Sequence, residues 1–402
     1  MSQNPLAYAG GCELVPGECM TDHARQLRVM IAGGGTGGHI FPGIAIAHEI
    51  KRRHPGAEVL FVGTELGLEK KIVPSEGYRL ETISVSGLKG TRGLKRLKSL
   101  MAVPRSLWES RLILRRFSPD VVLGVGGYSS GPPVLMAAWM GIPAMLQEQN
   151  ALPGLTNRLL ARFVRRVATA FKECEGYFGA KSILTGNPVR SEFAAMGSSE
   201  PGALSIPEGR QETVPLQERR LTVLITGGSQ GAQAINQAAV DALKILGSRL
   251  QGFRMIHQTG ERDYARVSEA YQAAGVVADV RAFFNDMPKQ FAKAELLVCR
   301  SGATTLAEIT VSGKAAILVP FPQAADDHQR KNAEALVQAG AAEMILQQEL
   351  TGARLAERLL FYERQPEALR QLGQNSQRLG RPDATARIVD IVEELAGWRR
   401  DS

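Results

Sequence analysis

Glycines supply the first chemistry-bearing pattern. Gly33, Gly35 and Gly38 fit G-x-G-x-x-G directly after the apolar run 27–32, a turn whose backbone N–H groups and following helix N-terminus suit a phosphate. Dinucleotide-binding dehydrogenases share that pattern, whereas a P-loop is excluded because no G-K-[ST] occurs there. Related turns recur as Gly124-Val-Gly-Gly-Tyr-Ser-Ser-Gly131, Gly227-Gly-Ser-Gln-Gly231 and Arg300-Ser-Gly-Ala-Thr-Thr305. Four such turns predict two phosphorylated ligands meeting in one cleft. Thr304, Thr305 and Glu308 open the helix after the last turn, where N–H groups can take a phosphate and the carboxylate can accept from two vicinal ribose hydroxyls or simply face the helix dipole. His39 follows the first turn and is either a proton acceptor near pH 7 or a helix-capping group. Glu148 and Asn150 fall beyond a strand end, and Arg190 suits a phosphate clamp or an ion pair at a domain joint. Asp326-Asp327-His328-Gln329 lacks D-x-D spacing and reads as a loop before a helix, so no metal is expected.

The elements that must position these groups alternate between strand and helix. Apolar runs at 27–32, 58–62, 80–85, 120–123, 143–146 and 166–170 predict one parallel sheet wound on both faces. After a polar, Pro- and Gly-containing stretch ending at Arg220, the opening theme returns. Strands are expected at 221–226, 253–258, 295–299, 316–319 and 344–346. The reading is two tandem Rossmann-like α/β domains with a cleft between them, and ligands in such sheets bind beyond the carboxyl ends of the strands.

Hydrophobic residues make up 44% of the 402 and charged residues 22%, which excludes fibrous and disordered classes. Cys12, Cys19, Cys174 and Cys299 are scattered without zinc or disulfide spacing, a usage that suits a reducing cytoplasm. Residues 1–26 carry Glu13, Glu18 and Asp22 without a continuous apolar core, so they read as a loosely ordered extension and not a signal peptide. The most apolar run, 131–146, holds Pro132, Pro133, Gly141 and Pro143 and is too short to span a membrane. Stretch 86–117 holds nine basic residues, among them Lys89, Arg92, Lys95 and Arg96, against Glu109 alone, and so matches the whole chain's net charge of +8. With Leu88, Leu94, Leu97 and Trp108 interleaved, it has the composition of a basic amphipathic segment for an anionic membrane surface, or of a helix pair with its lysines in water. No nucleic-acid motif accompanies it, so no nucleic acid is expected as partner.

In combination, Gly34-Gly-Thr-Gly-Gly-His39, Gly126-Gly-Tyr-Ser-Ser-Gly-Pro132, Glu148-Gln-Asn150, Gly186-Asn-Pro-Val-Arg190, Gly227-Gly-Ser-Gln-Gly-Ala232, Cys299-Arg-Ser-Gly-Ala303 and Asp327-His-Gln329 resemble the MurG family over roughly 27–397. These are two-domain glycosyltransferases of the GT-B type. The resemblance implies a metal-independent, inverting transfer of N-acetylglucosamine from UDP-N-acetylglucosamine to the 4-hydroxyl of undecaprenyl-pyrophosphoryl-MurNAc-pentapeptide in peptidoglycan synthesis. It implies no cofactor, a peripheral place on the cytoplasmic face of the bacterial membrane, and cell-wall synthesis partners. Carried over, the donor site comprises Thr36, Gly37, Gly38, Asn150, Arg190, Ser229, Phe284, Ala303, Thr304, Thr305, Leu306, Ala307, Glu308 and Gln329. Gly34, Gly35, Gly127 and Tyr128 are expected at the acceptor diphosphate, with His39 as base and Glu148 as a second catalytic group. Gln147 stands where the family commonly has His, and Phe284 where it often has an aliphatic residue. The implied division is an acceptor domain at 27–196, a linker at 197–220, a donor domain at 221–375 and a C-terminal helix within 376–402 that packs back on the first domain. A non-hydrolysing UDP-N-acetylglucosamine 2-epimerase and a non-catalytic UDP-sugar-binding subunit are the competing assignments.

Overall fold

The computed structural model describes residues 26–65, 67–85, 94–197, 220–228 and 231–398, without the side chains of 94–102, 197 and 325. All but Gln26 of the N-terminal extension, nearly all of the linker, Ser229, Leu88, Lys89 and Arg92 therefore lie outside the described residues, as do the side chains of Lys95 and Arg96.

Seven strands, β1 (Arg28–Gly33), β2 (Glu58–Gly63), β3 (Arg79–Thr82), β4 (Val121–Gly126), β5 (Ala144–Glu148), β6 (Arg166–Thr169) and β7 (Ser182–Leu184), form a parallel sheet in the order β3-β2-β1-β4-β5-β6-β7. Six more, β8 (Leu221–Thr226), β9 (Phe253–Gln258), β10 (Ala278–Arg281), β11 (Leu296–Cys299), β12 (Ala315–Leu318) and β13 (Glu343–Met344), form a second parallel sheet in the order β10-β9-β8-β11-β12-β13. The central strands are mostly apolar because successive side chains enter opposite layers, both covered by helices. In β1, Val29 and Ile31 join one core while Met30 and Ala32 join the other; in β8, Val223 and Ile225 part from Leu224 in the same way.

The strand order reverses between β1 and β4 in the first sheet and between β8 and β11 in the second. All four Gly-containing turns leave these four strands, so each pair opens at a topological switch point, where open α/β sheets form their ligand crevice.

Two short strands, β7 and β10, were not foreseen. Both lie at sheet edges and are only partly buried, so neither has a continuous apolar run. The described part of the basic stretch forms one helix, Leu94–Phe117, with Pro104 inside it. It buries Ile113, Leu114 and Phe117 and exposes Leu112 and Trp108, the latter to 61%. Among the described residues no helix is long and apolar enough to cross a membrane.

By packing, the chain crosses between sheets earlier than residue 196, since Val189 and Phe193 already join the second domain's core. The helix Ala384–Leu395 returns, placing Ile388, Val389 and Val392 in the first domain's core. Arg53 fastens it through Asp390 at 2.7 Å, Glu393 at 3.2 Å and the Ala386 carbonyl at 2.9 Å.

Candidate active site

The cleft measures about 980 Å³. Gly35, Thr36, Gly37 and Leu68 line one wall, while Gly227, Gly228, Gly231, Arg300, Phe321, Gln329 and Gln347 are among the residues of the other. Thr36 is extended and directly precedes the helix Gly37–Arg53, so the first amides of that helix open beside the space. Gly38 is exposed at the same helix start.

The two Gly turns of the first domain touch. A methyl group at Gly127 would fall 2.6 Å from the Gly34 carbonyl oxygen, and one at Gly126 would fall 2.8 Å from His39 Nδ1. Gly126 and Gly127 also have positive φ, 97° and 78° respectively, so glycine is required there on two grounds. The exposed ring of Tyr128 leans over Gly35. Gly35 was expected to offer its N–H to a diphosphate; it donates instead to Glu69 Oε2 at 2.8 Å. Glu69 is buried, and its other oxygen accepts from the Thr64 N–H and hydroxyl, both at 2.8 Å. Burial opposes its ionisation, but these donors hold the carboxyl below the usual range. Gly35 therefore contributes shape, and Glu69 braces the turn from below.

His39 lies at the start of the Gly37–Arg53 helix, its N–H donating to the Thr36 carbonyl at 3.1 Å. The residue is half-buried and its Nδ1 is sealed. Burial lowers the imidazole pKa, with Gln149 acting in the opposite sense, so the ring is neutral at pH 7.

Glu148 requires correction as a catalytic group. It is buried at the end of β5 and accepts from the Asn150 N–H at 3.0 Å, Asn150 Nδ2 at 3.3 Å, the Gly154 N–H at 3.0 Å and Asn157 Nδ2 at 2.8 Å. It organises the turn that presents Asn150. Gln147 is likewise buried, and its Nε2 donates to Asn187 Oδ1 at 3.0 Å.

In the second domain the helix Ala303–Val311 starts at Gly302, immediately after β11 and its turn. Thr304 Oγ1 is buried with no partner among the described residues, as expected of a hydroxyl left for a ligand. Thr305 and Ala307 are half-buried on this helix and Leu306 is in the core. Glu308 pairs with Arg190 at 3.1 Å, which brings together two groups assigned separately to the donor site. Burial raises the Glu308 pKa and Arg190 counters it. Gln329 lines the cleft and accepts from the Phe321 N–H at 3.0 Å. Phe284 is buried, and its own N–H is committed to Gln258 Oε1 at 2.9 Å. Asp326 and Asp327 take left-handed backbone angles just before the helix His328–Gln338.

Asn332 escaped sequence reasoning, because a lone Asn inside a helix carries no motif. Its Nδ2 donates to Asn150 Oδ1 at 3.1 Å and to the Ser301 carbonyl at 3.4 Å, while its Oδ1 accepts from the Ala151 N–H at 2.8 Å. One buried amide thus ties the β5 turn of the first domain to the phosphate turn of the second.

Two parallel-sheet domains whose switch points share one cleft, with a helix start beside it, have the architecture of the GT-B enzymes. Residues 29–169 match the glycosyltransferase family 28 N-terminal domain and residues 222–388 its C-terminal domain. A Myxococcus xanthus protein named UDP-N-acetylglucosamine–N-acetylmuramyl-(pentapeptide) pyrophosphoryl-undecaprenol N-acetylglucosamine transferase is 48% identical over 92% of this chain and 93% of its own length. One of the same name from Citrifermentans bemidjiense is 48% identical over 91% and 99%. The crystal structure of Acinetobacter baumannii MurG superposes with a TM-score of 0.74 at 28% identity, covering 92% of this chain and 99% of that one. The chain belongs to the MurG family within glycosyltransferase family 28. A Neisseria meningitidis UDP-GlcNAc 2-epimerase, TM-score 0.62 at 14% identity, shares the fold alone.

Proposed function

We propose that this enzyme transfers N-acetylglucosamine from UDP-N-acetylglucosamine to the 4-hydroxyl of undecaprenyl-pyrophosphoryl-MurNAc-pentapeptide, with inversion to a β-linkage. The observation that carries the proposal is the shared cleft, in which Thr36 and Gly37 of one domain face Gly228, Arg300 and Gln329 of the other. Its support is the near full-length similarity to transferases of that name.

The acceptor hydroxyl oxygen attacks the anomeric carbon while the bond from that carbon to the diphosphate oxygen breaks, and UDP departs with the electron pair. His39 Nε2 takes the hydroxyl proton, an effect worth on the order of 100-fold or more in rate. Charge growing on UDP meets the amides of the Ala303–Val311 helix start and the free hydroxyl of Thr304. Glu308, still holding Arg190, accepts from the donor ribose. Asn150, anchored by Glu148 and Asn332, lies at the same joint. The acceptor diphosphate rests against Gly34, Gly127 and Tyr128.

The proposal extends to a peripheral site on the cytoplasmic membrane face. Trp108 on the basic helix is 61% exposed and Trp139, on the adjoining helix Gly131–Trp139, is 62% exposed. Arg105 and Arg111 flank Trp108 on the exposed side of its helix. Each basic residue near an anionic surface contributes about 1 kcal/mol, screened by salt. Replacing Lys89, Arg92, Lys95 and Arg96 with Glu should abolish co-sedimentation with anionic vesicles and spare turnover of a short-chain acceptor. Unchanged sedimentation at unchanged salt dependence would place the contact elsewhere.

One assay tests the activity itself. Incubation with UDP-N-acetylglucosamine and a short-chain lipid acceptor should yield the disaccharide lipid; epimerised donor, or binding without turnover, would favour the competing assignments.

A further inference from the structure

Behind the His39 imidazole lies a row of buried amides whose hydrogen bonds all run one way. Gln147 Nε2 donates to Asn187 Oδ1 at 3.0 Å. Gln149 Nε2 donates to Gln147 Oε1 and to the Val125 carbonyl, the latter at 2.6 Å. Gln149 thus spends its N–H groups on Gln147 and Val125, and its Oε1 is the open end of the row. That oxygen is buried without a partner among the described residues, and so is His39 Nδ1. Both border one point: a methyl group built at Gly126 would lie 2.8 Å from His39 Nδ1 and 3.5 Å from Gln149 Oε1. A sealed acceptor beside a sealed ring nitrogen is unfavourable for each alone and satisfied for both by a small side-chain rotation.

We propose that Gln149 is a positioning residue for His39: its Oε1 accepts from Nδ1–H, holding the imidazole in the tautomer whose bare Nε2 faces the cleft. Gln147 and Asn187 fix the orientation of the Gln149 amide in turn. This rests on His39 as the base, and it names what makes that nitrogen available. An amide suits the place better than a carboxylate, because it selects the tautomer without adding negative charge that would favour imidazolium. The titratable groups facing the ring from other elements are Glu69, which favours its protonation, and His328, which opposes it. Glu69 is engaged by Gly35 and Thr64, and the Val125 carbonyl, which also favours protonation of the ring, already accepts from Gln149 Nε2.

The full chain labelled with ¹⁵N-histidine tests this, with the His39 resonances assigned by their loss in His39→Ala. At neutral pH the wild-type ring should show a protonated Nδ1 and a bare Nε2. Gln149→Met, similar in size but lacking the acceptor, should move the signals toward a tautomer mixture and lower kcat by about tenfold or more, with the donor KM within about twofold. Gln149→Glu keeps the acceptor and adds charge, so it should retain Nδ1–H and raise the acid limb of the kcat profile by about one pH unit. An unchanged tautomer in Gln149→Met overturns the proposal, as does a lost kcat with the tautomer intact. Should the Met variant fail to fold, an acid limb at its wild-type position in Gln149→Glu overturns it alone. Failure of the base assignment looks different: His39→Ala would turn over normally while the tautomer shift in Gln149→Met persisted.

Discussion

Replacing Glu308 with Gln keeps its volume and removes its charge, which isolates what the carboxylate does for the donor. The side chain is 11% exposed and meets Arg190 at 3.1 Å, whereas Arg190 is 43% exposed and stays hydrated without its partner. An ion pair with one member in water contributes no more than about 1 kcal/mol, so the fold should tolerate the change with a small fall in thermal midpoint. The bond to the ribose is the larger quantity. Losing one charge-assisted hydrogen bond costs about 1.5 to 3 kcal/mol, which converts to a donor KM raised roughly 10- to 150-fold, with kcat little altered. Initial rates against UDP-N-acetylglucosamine at saturating acceptor measure this directly. The same substitution in an Arg190→Ala background separates the two partners of the carboxylate. If Glu308 binds ribose, at least about a tenfold rise persists there; if it only holds Arg190, the rise vanishes. A donor KM within about threefold of wild type, or complete loss of the effect in the double variant, would refute the ribose role.

His39→Ala should lower kcat by on the order of 100-fold with the donor KM within about twofold, and unaltered turnover would remove it from the base role. Because burial depresses its pKa, the acid limb of kcat should fall below the ordinary histidine value of about 6.5, activity being lost as pH drops through the folded pKa. Full activity should survive EDTA, since no D-x-D pair bridges the donor diphosphate; complete loss restored by magnesium or manganese would reveal a missed site. His257 is buried between Tyr271 and Asn236 with its pKa pushed down to about 3. The unfolded chain therefore binds a proton there that the native state refuses, so stability falls as pH drops from about 6.5 toward 3, by at most about 1.4 kcal/mol per unit. Urea midpoints of His257→Phe should lie lower overall yet fall less steeply over that window, and an unchanged slope would contradict the linkage.

The sheets were legible because their central strands are buried on both faces and so read as mostly apolar runs, as at 221–226, which coincides with β8; 253–258, though broken by Arg254 and His257, coincides with β9. The edge strands β7 and β10 have one open side and no such run. The cleft-lining turns were legible because phosphate binding demands Gly at fixed offsets after a strand. What spacing could not show was how polar side chains divide between cleft and interior. Glu148 and Gln147 belong to one motif with Asn150, yet alternation along β5 and the turn after it send the first two inward and keep the third at the domain joint. Glu69 and Asn332 carry no motif at all; each matters because the fold brings it to a turn 34 or 181 residues away.

The most direct test of inverting transfer is the configuration of the product. UDP-N-acetylglucosamine labelled with ¹³C at the anomeric carbon, incubated with the enzyme and a short-chain muramyl-pentapeptide lipid, should deliver all transferred label as a β-linked N-acetylglucosaminyl unit on the 4-hydroxyl. Label in an α-linkage, or in N-acetylmannosamine with the acceptor untouched, would contradict the account.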